Sequence, residues 1–402
     1  MAIIIKEIVI KKILRVIVSM DPALGGPSLG IRISIPVMAD LGVENEVICL
    51  DDPECEFLGK DKFPIHALGP GIKPYLYTPK LESWLLANLN RFDIVIIHGL
   101  WFYHSYGTYK TWKKFTKANS NFPKLYIMPH GMLHPHFQIS KGRRLKALRQ
   151  NVIWRLFDRK VVNGANGVLF TCERELELAK DAFQPYAPKE ELNVGYGVSP
   201  PPAFRSNMVL EFQKKCPSMV ENGYWLYLSR IHPKKGLDLL INSYLQLRKE
   251  NYKLPDLVIA GSGLNSAFGK KLQEIAASER HIHFPGFLQG EAKYGAFYGC
   301  EAFVLPSQQE NFGITVVEAL ACSKPVLITP QVNVYREIEK GGGGLVGEDS
   351  ENGVYTMLKK WLDLTDPQRQ EMGKNAFKVF ENNYNVHQAT GKMLDLLNPA
   401  ST

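Results

Sequence analysis

Residues 302–329 read AFVLPSQQENFGITVVEALACSKPVLIT, and their reading decides the fold. AFVLPS is a short apolar run of strand length. Gly313 then precedes an apolar pattern of helical period over residues 314–322, and PVLIT is a second strand-like run. A strand, a loop, a helix and another strand in such quick succession is the unit of a parallel sheet with helical crossovers. Working outward, WLYLSRI, DLVIAG, HIHFPGF and GGLVGE supply further strands, with helices at GLDLLINSYLQLRKE and residues 266–278, 290–298 and 353–364. The first half repeats the scheme with ILRVIVS, NEVICL, FDIVIIH, KLYIMPH, GVLFT and LNVGYGV, and with helices over 27–41 and 78–90. The segment SPPPAFRSNMVLEFQKKCPSMVENG breaks the alternation and reads as an irregular linker near 196–221. Residues 367–397 are helical in pattern. The expectation is α/β, with two Rossmann-like domains.

Length agrees, because 402 residues exceed one ordinary core. With 45% hydrophobic and 22% charged residues, the composition is that of a globular protein. A net charge of +8 suits a phosphorylated substrate, a polyanion or an anionic membrane face. Nucleic acid is not expected as a partner, since no recognition motif accompanies the basic residues. The six cysteines form no C-x-x-C pair, so reduced thiols and a cytoplasmic location are expected. Lys6, Glu7, Lys11 and Lys12 interrupt the apolar N-terminal run, which reads as an extension before the first strand, not a signal peptide or spanning helix.

In such sheets ligands bind beyond the carboxyl ends of the strands. At one such end Glu310 stands before the NFG turn and Glu318 about one turn into the helix. Gly313 permits close approach of a ligand, and the amides of Asn311, Phe312, Gly313, Ile314 and Thr315 can cradle its oxygens. A phosphate centre flanked by hydroxylated rings would use all of these groups. The plainer alternative is a capped helix with two solvated glutamates. In LYLSRIHPKKGLDLLI, Arg230 ends a strand and Lys235 precedes a helix, so two cations can converge on a diphosphate.

In the first half, SMDPALGGPSLGI places Gly25 and Gly26 after a strand. Gly25 and Gly30 partly fit a dinucleotide fingerprint and Asp51 fits its ribose-binding acid, but Pro27 removes the middle glycine, which leaves a nicotinamide enzyme as a weak rival. His130, before Gly131, is a candidate for exposure at a strand end. His134 and His136 lack an acidic neighbour and read as loop histidines, not zinc ligands. No D-x-D occurs, so no carboxylate-held metal is expected. His98 and Trp101 lie at another strand end, where an aromatic could stack on a sugar or pack under the loop. Residues 141–160 carry basic side chains beside Leu145, Leu148, Val152, Leu156 and Phe157. The apolar face reads as core, with peripheral contact to an anionic membrane as a secondary role.

The ordered set GGP, PHG, SR…KKG, AGSG, PGF and the E-x7-E pair resembles the retaining glycosyltransferases of family 4, over nearly the whole chain after residue 12. The resemblance implies a GT-B fold. An acceptor-side domain would span 1–200, a nucleotide-sugar domain 201–380, and a C-terminal helix, 381–402, would cross back to the first, with the two domains facing across a cleft. It implies that Arg230, Lys235 and the Gly26 amide bind the donor diphosphate and that Glu318 takes the ribose. Glu310 with Asn311, Phe312 and Gly313 would hold the sugar, and His130 would approach it. Phe287 and Leu288 would sandwich the base, and Gly261 and Gly263 would line the site. It further implies a metal-free hexosyl transfer in polysaccharide assembly, from a UDP-sugar, with UDP-glucose as first choice, to a saccharide or polyprenyl-linked saccharide. Such an enzyme would be cytoplasmic or peripheral at the inner membrane face. A nucleotide-sugar-binding protein without turnover and a GT-B epimerase are the alternatives.

Overall fold

The computed structural model describes residues 10–136, 144–217, 223–250 and 252–398. The chain forms two units, one up to Gly197 together with the segment from Val386 onward, the other Val198–Asn385. The first unit is built on β1 (Lys12–Ile17), β2 (Glu44–Cys49), β3 (Ile65–Ala67), β4 (Ile94–His98), β5 (Lys124–Met128), β6 (Gly167–Phe170) and β7 (Glu191–Asn193). All pair in parallel, in the order β3-β2-β1-β4-β5-β6-β7. The second unit holds β8 (Tyr224–Leu228), β9 (Asp256–Ala260), β10 (Ile282–Gly286), β11 (Ala302–Leu305), β12 (Val326–Ile328) and β13 (Gly344–Val346). Their order is β10-β9-β8-β11-β12-β13, again all parallel.

The central strands are continuous apolar runs because helices cover both faces of each sheet. Every residue of β8 and β9 is buried. The one charge there, Asp256, is matched by His281 Nδ1 and His283 Nε2, each at 2.7 Å. Each sheet starts in its middle, winds to one edge, then restarts beside its first strand. The crossovers therefore part between β1 and β4, and between β8 and β11. Such switch points leave crevices at the carboxyl ends of the strands.

Two expectations fail. The linker contains the helix Ser206–Lys215, with Met208 and Phe212 buried at 0% and 1% exposure. Their i, i+4 spacing makes one apolar ridge. Gly295 of the helix Gly290–Gly299 receives it, since a Cβ there would lie 1.9 Å from the Met208 carbonyl oxygen. The prolines at 200–202 lie outside that helix, which is why composition misled. The second failure is the apolar face of 144–160, which does not enter the core: Leu145, Leu148, Val152 and Leu156 are 85%, 63%, 48% and 53% exposed. The opposite side is buried instead, through Ala147, Gln150, Trp154 and Asp158. Trp154 stacks on Phe183 at 5.1 Å, and Asp158 accepts from the Trp101 amide and Ser105 Oγ at 2.9 and 2.8 Å. An indole and a fully bonded carboxylate fix this rotation, and the leucines turn outward. Residues 1–9 and 141–143 lie outside the described residues.

The C-terminal helix Val386–Leu397 belongs to the first unit. Gly197 admits it, because a Cβ there would lie 2.5 Å from the Val386 backbone.

Candidate active site

In the second unit the candidate residues gather at the β8/β11 switch point. Lys235 ends a single 3-10 turn, Pro233–Lys235, closed by left-handed Gly236 at φ 64°. A Cβ on Gly236 would lie 1.9 Å from the Pro306 carbonyl oxygen, so glycine lets the loops after β8 and β11 touch. The contact brings Lys235 Nζ onto the Glu310 carboxylate, with the two side chains 11% and 21% exposed. The Glu310 backbone is pinned, its amide donating to Gln331 O at 2.9 Å and its carbonyl accepting from Asn333 N at 3.1 Å. This carboxylate therefore sits on a fixed strand-like ledge.

Gly313, at φ 77°, opens the helix Ile314–Ala321. The amides of Gly313, Ile314 and Thr315 donate to no protein acceptor among the described residues. Asn311 Oδ1 accepts from Asn333 Nδ2 at 3.4 Å, and Phe312 is buried edge-on to Tyr384. Glu318 is buried one turn in, and its Oε1 accepts from Lys293 Nζ at 2.6 Å. Its Oε2 is buried without a hydrogen-bond partner among the described residues. Such an atom is costly unless something pairs with it.

Arg230 follows β8 with an exposed side chain that forms no ion pair with either glutamate among the described residues. Gly261 and Gly263 have packing reasons of their own, since Cβ atoms there would lie 1.8 Å from Ser229 O and 2.7 Å from Ile231 O. After β10, Phe287 is 65% exposed while Leu288 is buried. The structure thus brings Lys235 to Glu310, and Lys293 to Glu318. It leaves Arg230 and Phe287 open to solvent.

In the first unit His130 and Trp101 both adopt positive φ, 51° and 76°, which is uncommon for non-glycine residues. Backbone strain of this kind concentrates at functional sites. The His130 turn is held by the buried Glu175, which accepts from the Gly131 and Thr171 amides and from Thr171 Oγ1. Of the two readings given for Trp101, the packed one is observed: its ring is buried at 5.0 Å from Phe183. His98 is buried as well, so neither presents a free face to a sugar.

His98 instead connects His130 to a buried cation. Arg15 Nε donates to Asn45 Oδ1 at 2.9 Å, Nη2 contacts Met38 Sδ at 3.1 Å and Nη1 faces His98 Nε2 at 3.4 Å. Arg15 has no carboxylate partner among the described residues. A guanidinium only donates, so His98 Nε2 accepts and its Nδ1 carries the proton. That Nδ1 lies 2.9 Å from His130 Nε2, which must accept in turn. His130 then keeps its proton on Nδ1, as a fixed donor. Burial, then Arg15, pushes its pKa down to about 3. Burial, then the other charges, drives His98 well below its ordinary value, and burial lowers His104 to about 4. A neutral imidazole is the only form this surrounding permits near pH 7. The adjoining cavity, about 40 Å³ and bordered by Arg15, His98, His130 and Tyr196, has room for water.

The GGP loop is open, as nothing lies within 4 Å of a Cβ built at Gly25 or Gly26. Tyr196 Oη donates to the Gly26 carbonyl at 2.7 Å. Gly30 makes way for the Tyr196 ring, and Asp51 accepts from Ser19 Oγ and the Met20 amide at 2.5 and 2.8 Å. Of the three residues of the nicotinamide reading, Gly30 and Asp51 are thus occupied by packing and loop bonds, while Gly25 is open. His134 Nδ1 accepts from the His136 amide at 3.0 Å. Among the described residues no group of three or more His, Cys, Asp or Glu could hold a metal ion.

Sequence reasoning missed Lys293, Arg15 and Tyr196. Nothing in GEAKYGAFY ties Lys293 to a glutamate in a later helix. Arg15 did leave a signal, as a lone charge inside an apolar strand.

Residues 211–379 match the family model Glycosyl transferases group 1, and this segment is a domain of that kind. The mannosylfructose-phosphate synthase of Agrobacterium fabrum is 29% identical over 143 residues, 33% of this chain and 32% of that protein. The O-antigen chain mannosyltransferase B of Escherichia coli is 27% identical over 130 residues, 32% and 34% of the two chains. The chain thus matches less than half the length of these curated relatives. A glycosyltransferase from Rickettsia africae superposes with TM-score 0.72 at 16% identity, covering 96% of this chain and 97% of that one. Anabaena HepE in complex with UDP-glucose gives 0.69 at 17%, covering 96% and 99%. These likenesses bear out the fold class, α/β with two Rossmann-like domains of the GT-B kind.

Proposed function

We propose that the protein transfers a hexose from a nucleoside-diphosphate sugar to a hydroxyl of a saccharide or lipid-linked saccharide. The observation that carries the reading is the buried, unpartnered Oε2 of Glu318 beside a bare helix N-terminus, at the switch point of a glycosyl transferase domain. Ribose hydroxyls would satisfy that oxygen. The amides of Gly313, Ile314 and Thr315, with Asn311 and Phe312 alongside, and the carboxylate of Glu310 would hold the sugar. Lys235 and Arg230 would neutralise the diphosphate without a metal. Phe287, with Leu288 beneath it, would cover the base, and Gly261 and Gly263 would shape the loop wall. In the first unit, the Gly26 amide and the Nδ1–H of His130 are the groups we propose as donors to a ligand. His98 acts through His130, not on an acceptor.

In the reaction the bond between the anomeric carbon and the diphosphate breaks, and its electron pair leaves with the nucleotide. The acceptor oxygen bonds to that carbon and its proton passes to the departing phosphate. Attack from the departing side retains configuration. This assignment needs no separate general base, and the neutral His130 is suited to donate a hydrogen bond, not to take a proton. Cations on a phosphate that gains charge lower the barrier instead of only binding. UDP-glucose is our first donor, supported by HepE, whose structure holds it. A relative from Mycolicibacterium smegmatis is named as GDP-mannose-dependent, which makes GDP-mannose the second candidate. Work in polysaccharide assembly, in the cytoplasm or at its membrane face, completes the proposal.

Thermal shift and calorimetry against UDP-glucose, UDP-galactose and GDP-mannose test the donor. Slow release of free sugar from the donor that binds, abolished in Lys235→Ala, is expected. Binding without release would leave a carrier, release of an epimerised sugar an epimerase, and no binding by any nucleotide-sugar would refute the proposal.

A further inference from the structure

The outward leucines of the first unit form a surface the transfer reaction does not use. We propose that the exposed face of residues 145–160 docks on an anionic lipid bilayer. Leu145, Leu148, Val152 and Leu156 follow one another at steps of three, four and four, which is one stripe along a helix. The other exposed residues between 145 and 160 are Lys146, Arg149, Arg155 and Lys160. Within the α-helix Arg144–Ile153, counting roughly 100° per residue, Lys146 and Arg149 border one side of the stripe. Arg155 and Lys160 lie beside it in and after the π-helical turn Trp154–Asp158. The only acid in that stretch, Asp158, is buried and bonded to the Trp101 amide and Ser105. The exposed side chains of residues 145–160 are therefore all apolar or cationic.

Each component matches one layer of a bilayer surface. The leucines enter the acyl boundary, while the long basic stems reach up to headgroup phosphates. No helix of the described residues is long and apolar enough to cross a membrane, so the contact lies in the plane of the surface. A second copy of the chain fits less well, because two such faces would set cation against cation. The inference stands whether or not the transfer reaction is correct, and it would carry a lipid-linked acceptor to the enzyme if it is.

The test is co-flotation of the full chain with vesicles of phosphatidylcholine, alone or mixed with phosphatidylglycerol. The wild type is expected on the mixed vesicles only, and to be released as salt rises. Arg149→Gln with Arg155→Gln should weaken the partition about 25-fold, at about fivefold per basic residue. Leu148→Glu with Leu156→Glu should abolish it, and Leu148→Ala with Leu156→Ala should weaken it at least about tenfold. All of these side chains are exposed, so melting temperatures should not move. Equal binding to neutral vesicles, no binding to either, or unchanged partition of the variants would overturn the proposal. So would a wild-type dimer that the glutamate variant dissociates, or retention on polyglutamate with none on vesicles.

Discussion

Glu310→Gln is expected to tighten the binding of UDP while destroying sugar transfer. The Lys235 ammonium is bonded to Glu310, in a pair whose side chains are 11% and 21% exposed. A diphosphate that takes this ammonium must first displace the carboxylate, and then sit near its charge. At an effective dielectric near 20, unit charges about 4 Å apart interact by roughly 4 kcal/mol before desolvation. Charge-assisted hydrogen bonds net about 1.5–3 kcal/mol. Even the lower figure, released to the nucleotide, is about a tenfold gain in affinity. Glutamine keeps the shape and the pinned backbone, so the fold should hold. Calorimetry with UDP reads the affinity, and a single-turnover transfer assay reads the loss of the sugar-holding carboxylate. Weaker UDP binding by Glu310→Gln would refute the competition. Tighter UDP binding with unchanged transfer would refute the sugar-side role.

Glu318→Ala should weaken nucleotide binding about tenfold or more, since ribose hydroxyls lose a buried acceptor; calorimetry showing wild-type affinity would reject that role. His130→Ala should cut transfer while sparing UDP affinity, and wild-type transfer should show no inflection near pH 6.5, because the His130 pKa lies near 3. Acid should destabilise the protein earlier than carboxylates alone would cause. His98, His104 and His130 have folded pKa values below 6.5, so the unfolded chain binds their three protons first, and their stabilisation, complete above about pH 6.5, is lost as pH falls towards the folded values. Asp158, raised to about 7 by burial, works the other way and offsets one proton between about pH 4 and 6.5. The net two protons give a slope on the order of 3 kcal/mol per pH unit, and urea midpoints that do not change between pH 7 and 5 would contradict it.

The strands were legible because burial on both faces leaves continuous apolar runs, as in YWLYL and DLVIA. Helices were harder. The helix Ser206–Lys215 hid behind prolines, and only its partner Gly295 explains why Met208 and Phe212 are buried. The leucine face of 144–160 shows a deeper limit. Periodicity reports that an amphipathic face exists, but not which face the core takes. Here Trp154 and the bonded Asp158 decide it, through contacts with Phe183 and Trp101 far along the chain. Glu310, Glu318 and Lys235 stood out in the sequence as candidates by residue type, and the structure gives each a charged partner. The partner of each carboxylate was not legible, because Lys293 and Lys235 reach them across 25 and 75 residues.

Those pairings answer why two anions should flank a helix terminus that itself attracts anions. A site built for a diphosphate needs cations and bare amides, and an empty site of that kind is a cluster of like charge. Glu310 is paired with Lys235 and Glu318 with Lys293, and in the proposed function only the first of these pairs would open for a nucleotide. The two pairs differ in one respect. In the proposed function Lys235 would offer its ammonium to the phosphates only by leaving Glu310, which would free that carboxylate for sugar hydroxyls at the same step. Glu318 holds Lys293 on one oxygen, and its other, buried oxygen has no hydrogen-bond partner among the described residues, so it would meet ribose without giving up the lysine. On this view nucleotide binding precedes completion of the sugar subsite. Lys293→Met should therefore weaken UDP and UDP-sugar alike, whereas Lys235→Met should weaken UDP more than it weakens a free hexose in the adjoining sugar subsite. Calorimetric titration of each variant with UDP, alone and with glucose present, measures both terms. Equal losses for the two variants on both ligands would remove the distinction between the pairs.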